Sequence, residues 1–212
     1  FLHMFDLQQQ TKLIQTGRQA LQCAGANGVN AFRAGSFGLG PETFAAVRAA
    51  GIDFDSSFDP TGTHPINSSM QCWQPVPIDG IVEYPLTVFQ DGMGRVRHAQ
   101  LGACSLAELQ QCLWSAKEQG WSAVVILSHN SELMNARKDN ADAVVVRRFE
   151  GLCKFLAKHR DVFSVRGFAG LKPKLDNIST KRLPRTRIAA TVVRLAEQAV
   201  RNVARIIEDR LS

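Results

Sequence analysis

Residues 29–55 read VNAFRAGSFGLGPETFAAVRAAGIDFD, and the order of apolar runs, glycines and helix formers in them decides the fold class. Val29–Arg33 reads as a short strand and Ala34–Gly40 as a loop, and Pro41 suits the first turn of a helix over residues 42–50. Gly51 stops that helix, and residues 52–55 form the next strand. Strand, loop, helix, strand is the order of a parallel α/β fold. In an α/β barrel, residues at the C-terminal ends of the strands point into a shared catalytic mouth. Arg33 ends the first strand. A second segment, residues 125–132 (VILSHNSE), repeats the pattern: an apolar run, then Ser128 and His129, then a polar helix start. An arginine and a histidine ending separate strands predict one active site.

Outward from there, residues 7–25 carry Leu7, Thr11, Ile14, Leu21 and Cys23 as an apolar stripe behind Asp6 as N-cap. Residues 59–79 are rich in proline, glycine, asparagine and serine and predict a long loop. Residues 81–89 predict a strand with Pro85 at an edge or a bulge, and residues 91–94 a turn. Ser105 and Glu108 form a capping-box pattern ahead of a helix that Gly120 ends. Ala123–Leu127 is a continuous apolar run, expected as a buried parallel strand. Residues 142–159 predict a helix and 162–165 a last short strand. The pattern predicts a domain over residues 1–170, a linker over 171–185, and an amphipathic helix over 186–212 packed on that domain.

A chain of 212 residues that is 45% hydrophobic and 21% charged reads as a folded protein rather than a disordered one. No apolar run approaches the ~18 residues that span a bilayer, so no transmembrane segment is expected. The net charge of +6 lies after residue 171, since Lys and Arg balance Asp and Glu before it; the basicity belongs to the tail, and no nucleic-acid partner is expected. Arg194, Arg201 and Arg205 alternate there with Ile188, Val192, Leu195, Val203 and Ile206, as in an amphipathic cover. Binding of this helix to an anionic polymer or membrane surface is the minority alternative. Five scattered cysteines (Cys23, Cys72, Cys104, Cys112, Cys153) with no C-x-x-C pair read mostly as buried free thiols, which leans the compartment toward a reducing one such as the cytoplasm.

A histidine at a strand end suits a general acid, because an unperturbed imidazole changes charge close to working pH; the alternative for His129 is a histidine hydrogen-bonded to a carboxylate such as Glu132. Arg33 needs a carboxylate or phosphate partner if buried. It either orients a catalytic acid or holds a structural ion pair. Gly35 and Gly38 permit close backbone approach to a ligand. Glu83, in an apolar strand, either reaches a substrate or is simply buried with its bonds satisfied or exposed to solvent, and Trp73 either stacks on a sugar or packs. His64 lies on the long loop, and His98 and His159 read as exposed.

In order, residues 32–38 (FRAGSFG), 51–57 (GIDFDSS), 82–85 (VEYP) and 127–129 (LSH) with Glu132 resemble the polysaccharide deacetylases, the NodB-homology domains of carbohydrate esterase family 4. The resemblance covers roughly residues 1–170. It implies a distorted, here partial, (β/α) barrel and a divalent metal, zinc in most members, held by one aspartate and two histidines. It implies removal of N-acetyl groups from an amino-sugar polymer or glycoconjugate by attack of metal-bound water. Arg33 then matches the arginine that orients the aspartate base, and His129 the histidine that protonates the departing amine. Phe37, Gly38 and Glu83 fall where substrate would be bound, and His3 about where the second metal histidine of an H-x-x-x-H motif would fall.

The chain also departs from that pattern. The family's Asp-Asp pair has no match here, its acidic aromatic segment is not recognisable, and Ala34-Gly35-Ser36 replaces its arginine–proline–proline loop. The first histidine and the Asp-Asp pair are expected before Phe1, so that these 212 residues alone are expected to bind metal weakly and to show little activity. A non-catalytic carbohydrate- or partner-binding domain of the same fold is the competing expectation.

Overall fold

The capping signals of the sequence sit where the helices begin. The Asp6 side chain accepts the Gln9 amide at 2.8 Å, and the Gln9 side chain accepts the Asp6 amide in return, starting α1 (Leu7–Cys23). The computed structural model describes residues 1–62, 72–175 and 182–210. Within them the protein is mixed α/β, with five α-helices, a four-stranded sheet and a two-stranded one, and the described strands do not close a barrel. The chain divides into two units, Phe1–Leu86 with Arg166–Thr180, and Thr87–Val165 with Lys181–Ser212.

In the first unit, β1 (Ala31–Phe32), β2 (Phe54–Asp55), β3 (Val76–Ile78) and β4 (Ile81–Glu83) lie in the order β1-β2-β4-β3. The first three neighbours in that order run parallel: Phe32 is opposite Asp55, and Asp55 opposite Glu83. Helix α2 (Thr43–Ala49) connects β1 to β2 and buries Phe44, Ala46 and Val47 against Ile14 of α1, Leu39, Ile52, Phe58 and Ile81. Helix α1 touches this core through only one side. Gln10 accepts from the Thr43 hydroxyl at 2.8 Å, and Arg18 donates to the Ala50 carbonyl at 2.8 Å, while Leu7 and Leu21 of the expected stripe are exposed.

The end of the expected loop over 59–79 is instead strand β3, an antiparallel hairpin arm on β4. Asp79 and Gly80 both take positive φ, 46° and 80°, as a two-residue hairpin turn of this twist requires. Pro77 is tolerated because β3 is an edge strand. Residues 63–71, including His64, lie outside the described residues. The chain returns to this unit after residue 165: Phe168 packs on Phe54 and Tyr84, with ring centroids 5.3 and 5.4 Å away, and Asn30 Nδ2 donates to the Phe168 carbonyl at 3.1 Å.

In the second unit, β5 (Val88–Gln90) and β6 (Val96–His98) form an antiparallel pair. The strand expected over 81–89 is thus two strands, interrupted at Tyr84–Thr87 around Pro85. Helices α3 (Leu106–Glu118) and α4 (Ala143–Lys158) enclose a core of Phe89, Leu101, Leu109, Cys112, Val145 and Leu152. Ala123–Leu127 is not the full strand expected. It is extended but makes one isolated bridge, Leu127 to Gln100, and its first four residues are only half-buried. Residues 162–165 likewise form no strand.

Part of the expected linker is ordered pairing. Gln90 donates to the Pro184 carbonyl at 2.8 Å and Thr186 donates back to Gln90 at 3.0 Å. Helix α5 (Ile188–Arg210) follows. All five thiols are free; Cys104 and Cys112 are buried, whereas Cys23 and Cys153 are at the surface, against the expectation that most would be enclosed. His98 and His159 are half-buried rather than exposed, His159 against the rings of Phe155 and Trp114. Trp73 is half-buried.

Candidate functional site

The chemistry-bearing residues of the first unit cluster at the C-terminal ends of its parallel strands. Period-two alternation and the β2–β4 register put Asp55 and Glu83 side by side. Both are fully enclosed, at 0% exposure. Asp55 Oδ1 accepts from the Ser57 hydroxyl at 2.7 Å, and Glu83 Oε1 from the Phe58 amide at 3.0 Å. Burial raises the pKa of Asp55, against the lowering effect of its hydrogen bonds with Glu83 and Ser57. Burial, the Asp55 charge and the hydrogen bond between the two carboxyls push Glu83 well above the usual carboxylate range. Two adjacent buried carboxyls share a proton rather than both ionising, and they titrate as a pair.

Arg33 follows β1 directly and stands over this pair. Its Nε donates to the Ser56 carbonyl at 2.9 Å and its Nη2 to the Ser56 hydroxyl at 2.8 Å. Partial burial lowers its pKa, and the charges of Asp55 and Glu83 oppose that. The guanidinium is thus held by a serine and faces the acid pair by field rather than by a direct bond. The Ser56 hydroxyl in turn donates to the Tyr84 carbonyl at 2.7 Å, tying the ends of β2 and β4 together. In the loop after Arg33, Ser36 and Phe37 both have left-handed backbone, φ 52° and 53°. Phe37 is half-buried and Gly38 buried. The His3 amide donates to the Gly38 carbonyl at 3.2 Å, and the His3 ring stacks on Phe1 with centroids 5.6 Å apart. Glu83 faces the interior of its unit, not solvent.

His129 belongs to the second unit. The bond from the Leu127 amide to the Ala99 carbonyl, 2.8 Å, and that from the Leu101 amide to the Leu127 carbonyl, 2.9 Å, fix the backbone two residues before it. Its Nδ1 lies 3.4 Å from Glu132 Oε1, with the histidine side chain 60% exposed and that of the glutamate 16%. Glu132 is itself held: Gln100 Nε2 donates to Oε1, and the Gly102 amide donates to Oε2 at 3.0 Å. A Cβ at Gly102 would lie 2.8 Å from Glu132 Oε2, so glycine is what lets the carboxylate seat there. Arg148 Nη1 donates to the Leu101 carbonyl at 3.3 Å and to that of Gly102 at 3.1 Å, and Arg201 Nη1 to Gly102 at 3.0 Å. Guanidinium bonding to the Leu101 carbonyl polarises the peptide whose N–H serves Glu132. A carboxylate on Nδ1 selects the tautomer that leaves Nε2 for chemistry.

The sequence reading singled out Arg33, Glu83, His129 and the Glu132 partner. It missed the Asp55–Glu83 pairing and the roles of Gln100, Gly102 and Arg148, because strand register and loop approach leave no local signal. Among the described residues no group of three or more His, Cys, Asp or Glu is placed to hold a metal ion. With its ring on Phe1 and its backbone on Gly38, His3 does not by itself fit a divalent ion, and no step below runs through one. Comparison of the chain with protein-family models, with curated proteins and with solved structures finds no match in any of the three.

Proposed function

We propose that the protein is a hydrolase of the polysaccharide deacetylase type, removing N-acetyl groups from an amino-sugar polymer or glycoconjugate. The observation that carries this is the clustering of Arg33, Asp55 and Glu83 at the ends of neighbouring parallel strands, in the motif order of that family. His129 supplies the second half of the argument, as an exposed imidazole oriented by a fixed carboxylate.

In the reaction, the oxygen of water adds to the acyl carbon and the C–N bond breaks. Acetate leaves and the amine nitrogen takes a proton from the His129 imidazolium; of the two protons of the water, one returns to His129 and the other passes to solvent. Arg33 is a positioning residue, holding the ends of β1 and β2 through Ser56. A divalent ion, zinc by the family resemblance, belongs to this proposal as an added component. The test is acetate release from N-acetylated amino-sugar oligomers over long incubation with zinc in large excess, because weak metal binding and low activity are expected of these residues. His129→Ala is expected to reduce kcat by about 10²–10⁴-fold. Absence of acetate release from wild type, or an unimpaired His129→Ala enzyme, would falsify the proposal.

A binding module is the second reading, favoured by the complete enclosure of Asp55 and Glu83, which keeps both from water as they stand. It expects retention of the same oligomers on the protein without acetate release.

A further inference from the structure

Helix α5 is built inside out relative to the usual amphipathic pattern. Its inner face carries Ala190, Thr191 and Arg194, all buried, and the half-buried Arg201. Arg194 bonds Glu108 at 3.1 Å and Asp91 at 3.0 Å, and Arg201 bonds Asp142 at 2.7 Å. The third charged residue in the first four turns, Glu197, turns to Arg148 at 2.7 Å. The outer face carries Ile188, Val192, Leu195, Val200, Val203 and Ile206, which are 42–61% exposed. That stripe is about 27 Å long at 1.5 Å per residue.

The distribution of charge selects the partner. An anionic membrane surface needs cations beside the apolar face, and here the two central arginines are turned inward against carboxylates. A charged peptide or polymer finds no complementary charge between Ile188 and Val203. A second copy of this chain offers a stripe of equal length, equally neutral along its centre, with no like charges to oppose in the seam. The area also suffices. The stripe presents roughly 600 Å² of aliphatic surface, above the few hundred Å² that an ordinary surface leaves bare. Two copies would bury about 1,200 Å², the lower bound of specific interfaces. We propose that the outer face of α5 pairs with the same face of a second copy in an isologous two-fold contact. This is independent of the reaction proposed above.

Sedimentation equilibrium on the full chain tests it. Wild type is expected to dimerise reversibly. Val200→Glu with Val203→Glu should weaken association by about a hundredfold or more, since charges then enter an apolar seam on both chains. At concentrations where wild type is monomeric, the circular dichroism and urea midpoint should be those of wild type, because both positions are exposed in the single chain. Val203→Ser with Ile206→Ser provides a milder variant, expected to weaken the dimer in the same direction. The proposal is overturned by a wild type that stays monomeric to roughly 100 µM, well above the micromolar constants of weak interfaces of this class. A dimer indifferent to both variants overturns it as well. So does a monomer that instead cosediments with phosphatidylserine-containing vesicles.

Discussion

At the scale of single residues, the raised pKa of Glu83, buried beside Asp55, has a measurable consequence. The folded state holds a proton on the pair at a pH where an unfolded carboxyl, with a pKa of about 4.3, has released it. The contribution of the pair to stability is therefore complete below that value and is lost as pH rises through the raised folded-state pKa. Urea midpoints measured from pH 4.5 upward should fall in wild type and stay flatter in Glu83→Gln; equal slopes would remove the shared proton from the account. Glu132 offers a second test. Glu132→Gln should lower kcat for acetate release and shift the tautomer populations of His129, read from its ring nitrogen shifts. Gly102→Ala, whose Cβ displaces the same carboxylate, should move both in the same direction by less.

Among the elements, α3 and α5 are joined through one buried junction. Ser105 caps α3 by accepting the Glu108 amide at 3.2 Å, and its hydroxyl donates to the Ala190 carbonyl at 2.9 Å. Glu108 accepts from Thr191 at 3.0 Å and from Arg194 at 3.1 Å. Asp91 accepts from both Arg194 and Arg97; burial would raise its pKa, but hydrogen bonds from Arg97 and from the Arg95 and Met93 amides hold it low. Arg194→Ala leaves the enclosed Glu108 without its cation and Asp91 with Arg97 alone, and should cost about 3–5 kcal/mol in chemical denaturation. Ser105→Ala removes a cap worth about 1 kcal/mol together with the bond to Ala190.

How legible these elements were follows from how local their causes are. The caps at Asp6 and Ser105 and the stop at Gly51 are written within four residues, and the helices lie where those signals put them. Val76–Ile78 was hidden by its prolines, although Asp79-Gly80 carried the hairpin signal. Ala123–Leu127 reads as strand by composition, yet it bonds Thr87 at Val125 and Ala99 and Leu101 at Leu127, and forms no continuous ladder among the described residues. The orientation of α5 ran opposite to its hydropathy, because buried ion pairs of Arg194 with residues 86 and 103 positions away set it.

For the whole molecule, the basicity of the tail is less available than its composition suggests, since Arg194 and Arg201 are paired with carboxylates outside it. The absence of a three-donor cluster among the described residues gives a simple expectation. Calorimetry of these 212 residues should show no tight one-to-one zinc uptake, because a protein zinc site draws on three or four side-chain ligands. Strong stoichiometric heat would contradict it.

The return of residue 168 to the first unit has a consequence during synthesis. Phe168 covers Phe54 and Tyr84, yet it leaves the ribosome more than 80 residues after Tyr84. That aromatic surface must wait, solvent-facing, while all of Thr87–Val165 is made, and a nascent chain is most prone to aggregate while apolar surface is uncovered. A translation product ending at Val165 should therefore be recovered chiefly as insoluble material, and Phe168→Ala should reproduce part of that loss in the finished chain.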